Sequence, residues 1–112
     1  MLDPSRALER GIPTKIAELV TATGTNQVRP FSILGVPSAP NKVHCQPTGA
    51  FTALDGNIES SINGGQTWLT YAAFNFATTK VVVFEAAPGV LYRFNVTTIT
   101  QTTPPDIYAT LA

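Results

Sequence analysis

From Ile12 to the end of the chain, short runs of Val, Ile, Thr and aromatic residues are cut at intervals of about ten residues by Gly, Pro and Asn. That spacing suits strands of ordinary length joined by tight turns, and it is the pattern of a two-sheet all-β domain. The chain is therefore expected to fold as an antiparallel β-sandwich, Ig-like or jelly-roll-like, over residues 13–112. Its 112 residues make one domain, large enough to bury roughly 60–70% of the surface its unfolded chain exposes, with no disulfide or metal needed.

Within that frame, Thr14 to Thr23 reads as a strand, although Ile16, Leu19 and Val20 also fit a helical period. Gln27 to Leu34 alternates imperfectly, and Pro30 cannot donate to a ladder, which places this strand on an edge or at a bulge. A loop over Gly35 to Asn41 leads to a strand at Val43 to Gln46 and a turn at Pro47-Thr48-Gly49. Ile58 to Ile62 and Thr67 to Phe74 form a hairpin about Asn63-Gly64-Gly65, with Trp68 expected to anchor the core. Lys80 to Ala86 carries Val81, Val82, Val83 and Phe84 without a break, the sign of a strand buried on both faces or covered by a partner. Val90 to Ile99 alternates cleanly, with Tyr92, Phe94 and Val96 on one face and Arg93, Asn95 and Thr97 on the other, as a half-buried antiparallel strand does. Ile107 to Leu111 supplies the last strand.

Residues 1–12 differ from the rest. Asp3 stands as an N-cap, Pro4 at the first helical position, and Gly11 as a stop, so Ser5 to Arg10 reads as a short helix. A helix of two turns is marginal alone. It must therefore dock on its own domain or on a neighbour, and it reads as an arm with Leu2, Arg6, Leu8 and Arg10 as the candidate protein-interface residues.

Charged residues make up only 12% of the chain, about half the usual share of roughly 25%. Thr, Ser, Asn, Gln, Gly and Pro must then cover much of the surface. Short uncharged polar groups cost less to desolvate than unpaired Lys or Glu, which suits lasting contact with neighbours. Seven basic and seven acidic side chains cancel, and no run of like charge offers a footprint for nucleic acid. No apolar run approaches the about 20 residues of a membrane span, and Met1-Leu2-Asp3-Pro4-Ser5-Arg6 is not a signal-peptide start. A soluble chain with no membrane partner is expected.

Acid–base chemistry needs paired titratable groups, whereas Asp3, Glu9, Glu18, Asp55, Glu59, Glu85 and Asp106 are scattered. Leu54-Asp55-Gly56-Asn57 reads as a turn. The alternation of Asp55, Asn57 and Glu59 slightly resembles an oxygen-ligand calcium loop, but its spacing is incomplete. Cys45 is the only cysteine, which fits a reducing compartment. It is expected in the core, with His44 on the opposite face of the strand. One Cys and one His cannot make a zinc site, and Asn95-Val96-Thr97 carries no meaning as a glycosylation acceptor without a secretory signal. No enzyme activity, cofactor or metal is expected. Tyr71, Phe74, Phe76 and Tyr92 belong either to the core or to an exposed sugar-stacking platform.

The segment Ser60-Ser61-Ile62-Asn63-Gly64-Gly65-Gln66-Thr67-Trp68, followed by Gly89-Val90-Leu91-Tyr92-Arg93-Phe94-Asn95-Val96, resembles a pattern of small β-sandwich virion proteins of tailed bacteriophages. These include capsid cement or decoration proteins and tail-associated domains. The likeness covers about the last half of the chain, and Asn63 replaces the usual Asp, a change the turn tolerates. The resemblance implies a decoration subunit made in the host cytoplasm and carried on the virion's capsid surface. Such a subunit would bind the major capsid protein as a homotrimer. A carbohydrate- or receptor-binding module of a tail or fibre, and a head–tail connector component, are the alternatives.

Overall fold

The structure, a computed structural model, describes residues 6–35 and 41–112, with the backbone alone at Arg6. Nine strands form among them: β1 Arg6–Leu8, β2 Thr14–Ala17, β3 Phe31–Ile33, β4 Lys42–Pro47, β5 Ala50–Ser61, β6 Leu69–Asn75, β7 Val82–Glu85, β8 Leu91–Thr103 and β9 Ile107–Leu111. They make a five-stranded sheet in the order β1-β3-β8-β5-β6 and a four-stranded sheet in the order β2-β9-β4-β7. The chain is a β-sandwich, and no helix occurs among the described residues.

The connectivity is that of one long hairpin rolled up. β5 pairs antiparallel with β6, β4 with β7, β3 with β8 and β2 with β9. The tip lies at the loop over residues 62–68, and the pairs alternate between the two sheets. Two further antiparallel ladders, β5 with β8 and β4 with β9, close each sheet. Every connection except β5 to β6 therefore crosses the core.

The core follows from strand alternation. In β8, Tyr92, Phe94 and Val96 are buried while Arg93, Asn95 and Thr97 turn outward, as the sequence pattern predicts. In β4, Val43 and Cys45 are fully buried and His44 is exposed on the other face. Two aromatic clusters fill the core, the second of them joining the two layers. Phe74, Phe76 and Phe94 form one, with the Phe74 and Phe94 centroids 4.8 Å apart. Phe31, Tyr71, Phe84 and Tyr92 form the other, with Phe84 and Tyr92 at 5.4 Å.

Several expectations are corrected. The helix expected over Ser5 to Arg10 is not seen among the described residues, Ser5 lying outside them: Arg6–Leu8 is a strand pairing in parallel with β3, and Leu8 is fully buried. Backbone hydrogen bonds and core burial outweigh a local capping signal whose helix would be only two turns long. β3 lies inside its sheet, flanked by β1 and β8, because Pro30 precedes the strand and removes no ladder bond. Trp68 is half-buried on the outer face; the inward positions of β6 go to Ala72 and Phe74. Of the two readings of the run Val81 to Phe84, burial on both faces within the chain is not found: Val82 and Phe84 lie inside while Val81 and Val83 are exposed on an edge strand.

The turn expected at Leu54-Asp55-Gly56-Asn57 is likewise absent. These residues lie mid-strand in β5, where the pairing with β8 shifts register between Asp55 and Gly56. Glycine stands there because a Cβ would overlap the backbone carbonyl of Asn95.

Candidate interaction surface

The rolled hairpin brings four inter-strand connections to one end of the sandwich, those from β1 to β2, β3 to β4, β5 to β6 and β7 to β8. Four of the seven large aliphatic side chains exposed among the described residues lie at this end, the others being Leu19, Val81 and Val83. Ile62 is 87% exposed, Leu69 70%, Leu34 58% and Ile12 51%. Ile62 stands at the hairpin tip because Ser61 and Asn63 are both held by the turn: the Ser61 hydroxyl donates to Asn63 Oδ1 at 2.8 Å and accepts the Gly65 N–H at 2.9 Å. Asn63 Oδ1 also accepts the Thr67 N–H at 3.0 Å. With its neighbours fixed, Ile62 has only solvent to face.

Between the edge strands β6 and β7 the same end opens into a cleft of about 520 Å³ lined by Asn41, Ser60, Ile62, Glu85, Pro88 and two tyrosines, Tyr71 and Tyr92, among others. The register shift in the β5–β6 ladder leaves Tyr71 as the extra residue between Thr70 and Ala72. Bulges re-aim side chains, and here the ring turns to the cleft, 5.6 Å from that of Tyr92. The Tyr71 hydroxyl donates to the Glu85 carbonyl at 2.6 Å, tying the two edge strands together. Tyr92 Oη accepts the Ala87 N–H at 2.8 Å. Burial pushes the Tyr92 phenol above its ordinary pKa; the Ala87 N–H partly opposes this and Tyr71 adds to it.

No family model, curated protein or solved structure matches this chain.

Of the four interface residues expected from the sequence, Arg10 alone reaches this end with a described side chain. Its guanidinium donates to Asn41 Oδ1 at 2.8 Å and to the Ala112 carbonyl. It thereby stitches the loop after β3 to the last strand and holds one wall of the cleft. Leu8 is a core residue, with no surface to offer. Arg6 contributes its backbone to β1, and Leu2 lies outside the described residues.

The other sequence candidates separate as follows. Phe74, Phe76 and Tyr92 are core, so the four-ring platform reduces to Tyr71, which is 47% exposed. Asp55, Asn57 and Glu59 share the outer face of β5, a strand and not a loop. The Glu59 carboxylate there accepts Arg93 Nε at 2.7 Å and Asn95 Nδ2 at 3.2 Å. Among the described residues no group of three or more His, Cys, Asp or Glu is placed to hold a metal ion. Cys45 is walled into the core, where burial pushes its thiol far above the ordinary range.

Sequence reasoning missed Ile12, Leu34 and the cleft. Each aliphatic sits in or beside a Gly- or Pro-containing loop, as in Gly11-Ile12-Pro13 and Leu34-Gly35. A large apolar residue inside turn punctuation has no strand to carry it inward, and that is the signal that marks it.

Proposed function

We propose that this chain is a structural virion protein, a decoration subunit that binds the outside of a phage head and clamps neighbouring major capsid proteins as a homotrimer. The observation that carries the reading is the gathering of Ile12, Leu34, Ile62 and Leu69 at one end of the sandwich, on a chain with only 12% charged residues. Contiguous exposed apolar patches mark docking sites, and the reading takes these four side chains as parts of one. The neighbouring Thr, Ser and Asn groups lose little on desolvation.

Two further features support it. The strand orders β2-β9-β4-β7 and β3-β8-β5-β6 are those of an eight-stranded jelly roll with β1 added, an architecture of viral capsid proteins. The hairpin and β8 also carry the residues that resemble phage virion modules. Copies repeated over a shell sum weak contacts through multivalency.

Mixing the protein with expanded capsids that lack it, then reading occupancy by sedimentation and position by cryo-electron microscopy, tests the proposal. Ordered density at lattice three-folds is expected, lost on Ile62→Asp with Leu69→Asp. Density at a single vertex would replace it with the connector reading.

Jelly rolls also serve as lectin domains, and Tyr71 stands over a cleft that includes Asn41, Ser60 and Glu85. The second reading is therefore a glycan- or receptor-binding module of a tail or fibre. Glycan binding abolished by Tyr71→Ala would favour it over the first.

A further inference from the structure

We propose that Asn63, at the tip of the β5–β6 hairpin, is a latent modification site: a side-chain clamp holds it as the amide, and opening of the clamp lets the Gly64 nitrogen convert it to a succinimide and then to aspartate or isoaspartate.

Electrophile and nucleophile are neighbours here and nowhere else. Asn63 is the only one of the six asparagines followed by glycine; after each of the others, the next residue's side chain screens its own nitrogen. Gly64 has no Cβ to block the approach, and nothing lies within 4 Å of where one would be. Its N–H meets no acceptor among the described residues. Both residues are exposed, so water reaches them. Asp55-Gly56 could close the same ring, but it lies mid-strand, where Gly56 pairs with Val96 on one side and Phe74 on the other.

What restrains Asn63 is the set of bonds its own amide makes. Oδ1 accepts the Ser61 hydroxyl at 2.8 Å and the Thr67 N–H at 3.0 Å, and Nδ2 donates to Thr67 Oγ1 at 3.1 Å. Thr67 thus grips both ends of the planar group. Ser61 is buried and held in turn by the Gly65 N–H. To form the ring, the amide plane must turn and carry Cγ onto the Gly64 nitrogen, which breaks all three bonds. Each is worth about three- to tenfold in an equilibrium, so the clamp slows the reaction without forbidding it.

Once the clamp opens, the Gly64 nitrogen gives its proton to solvent and attacks Cγ. The new C–N bond displaces Nδ2, which takes a proton from solvent and leaves as ammonia. Water then adds to one of the two imide carbonyls. Opening at Cγ gives aspartate, which keeps acceptors for Ser61 and the Thr67 N–H and places a negative charge beside Ile62. Opening at the main-chain carbonyl gives isoaspartate, which lengthens the backbone by one methylene and shortens the side chain by one carbon, so the clamp geometry is lost. Either change alters the tip that presents Ile62, whatever Ile62 contacts, and loss of ammonia makes it irreversible.

The full chain is held at mildly alkaline pH, folded or unfolded in guanidinium chloride, and the peptide containing Asn63 is followed by mass spectrometry with isoaspartate separated chromatographically. Conversion is expected in both states and at least about tenfold slower in the folded one. Thr67→Val, which removes Oγ1 and keeps the N–H, should raise the folded rate about three- to tenfold and leave the unfolded rate unchanged. Gly64→Ala should suppress conversion in both states. Circular dichroism checks the fold of each variant, and the comparison of folded with unfolded parent chain needs no variant. Parent chain that converts as fast folded as unfolded, or folded Thr67→Val no faster than its parent, would overturn the clamp. No conversion at Asn63 in the unfolded chain would overturn the site.

Discussion

The guanidinium carbon of Arg93 lies 4.2 Å from the centre of the Trp68 ring while its Nε donates to Glu59 Oε1 at 2.7 Å. The indole N–H donates in turn to the Gly65 carbonyl at 3.0 Å. This stack ties the β5–β6 loop to the outer face of β8, on the far side of the sheet from the core. Arg93→Ala should cost about 1–2 kcal/mol, the sum of a half-exposed cation–π contact and a charge-assisted hydrogen bond. Chemical denaturation followed by Trp68 fluorescence measures the cost. An unchanged native emission spectrum would mean that the ring does not feel the guanidinium.

Gly56 faces the backbone carbonyl of Asn95 so closely that any side chain would overlap it. Gly64, at φ 73°, has nothing within 4 Å of a Cβ position. Gly56→Ala should therefore destabilise by about 3 kcal/mol or more through forced displacement of the β5–β8 ladder. Gly64→Ala should cost only about 1–2 kcal/mol, the strain of a left-handed alanine. Thermal melts of the two variants give the order, and equal losses would contradict the close approach.

Gln27 organises the loop between β2 and β3. Its Oε1 accepts the N–H groups of Thr21 and Ala22 at 2.8 and 3.0 Å, and its Nε2 donates to the Leu19 carbonyl and the Thr21 hydroxyl. Leu19 is meanwhile held at φ 47°, with its N–H on Asp106 Oδ1 at 2.8 Å. Gln27→Ala should cost about 1–2 kcal/mol and accelerate amide exchange at Thr21 and Ala22 while leaving Val43 and Cys45 protected. Uniform acceleration would show that the loop and the core open together.

Stability should fall at alkaline pH, and the sign follows from Cys45. Burial raises its thiol pKa in the folded state, so above the ordinary thiol value of about 8.5 the unfolded chain loses a proton that the folded chain keeps. The unfolded state then binds fewer protons, and unfolding free energy drops by about 1.4 kcal/mol per pH unit. The stabilising contribution is complete below that value. Tyr92, also raised by burial, adds a second decline above about pH 10. In Cys45→Val the first decline should vanish and the second remain, as read by urea denaturation from pH 7 to 11. A Cys45→Val profile parallel to that of the parent chain would show that the thiol is not the group responsible.

How far local sequence carries can be seen residue by residue. The alternation of Tyr92, Phe94 and Val96, and the Asn63-Gly64 turn, were legible because side-chain direction in a strand and positive φ in a turn are local properties. The same locality misled at Asp55-Gly56-Asn57, where turn-forming residues sit mid-strand because a neighbouring backbone approaches Gly56. It misled again at Asp3 to Gly11, where helix punctuation is overridden by the parallel pairing of Arg6–Leu8 with β3. Trp68 gave no local sign of its side, since the bulge at Tyr71 changes which residues of β6 face inward.

The sequence alone determined the all-β class, the approximate positions of most strands, the phase of β4 and β8, the burial of Cys45 and the low charge of the surface. These depend on composition and on a period of two residues. Tertiary structure decided the rolled-hairpin winding, the exposure of Ile12, Leu34, Ile62 and Leu69 at one end, and the cleft between β6 and β7. Those features require pairings between residues as distant as Arg6, Phe31, Tyr92, Ser60 and Leu69, and the energy of such contacts exists only once the chain has closed the loops between them.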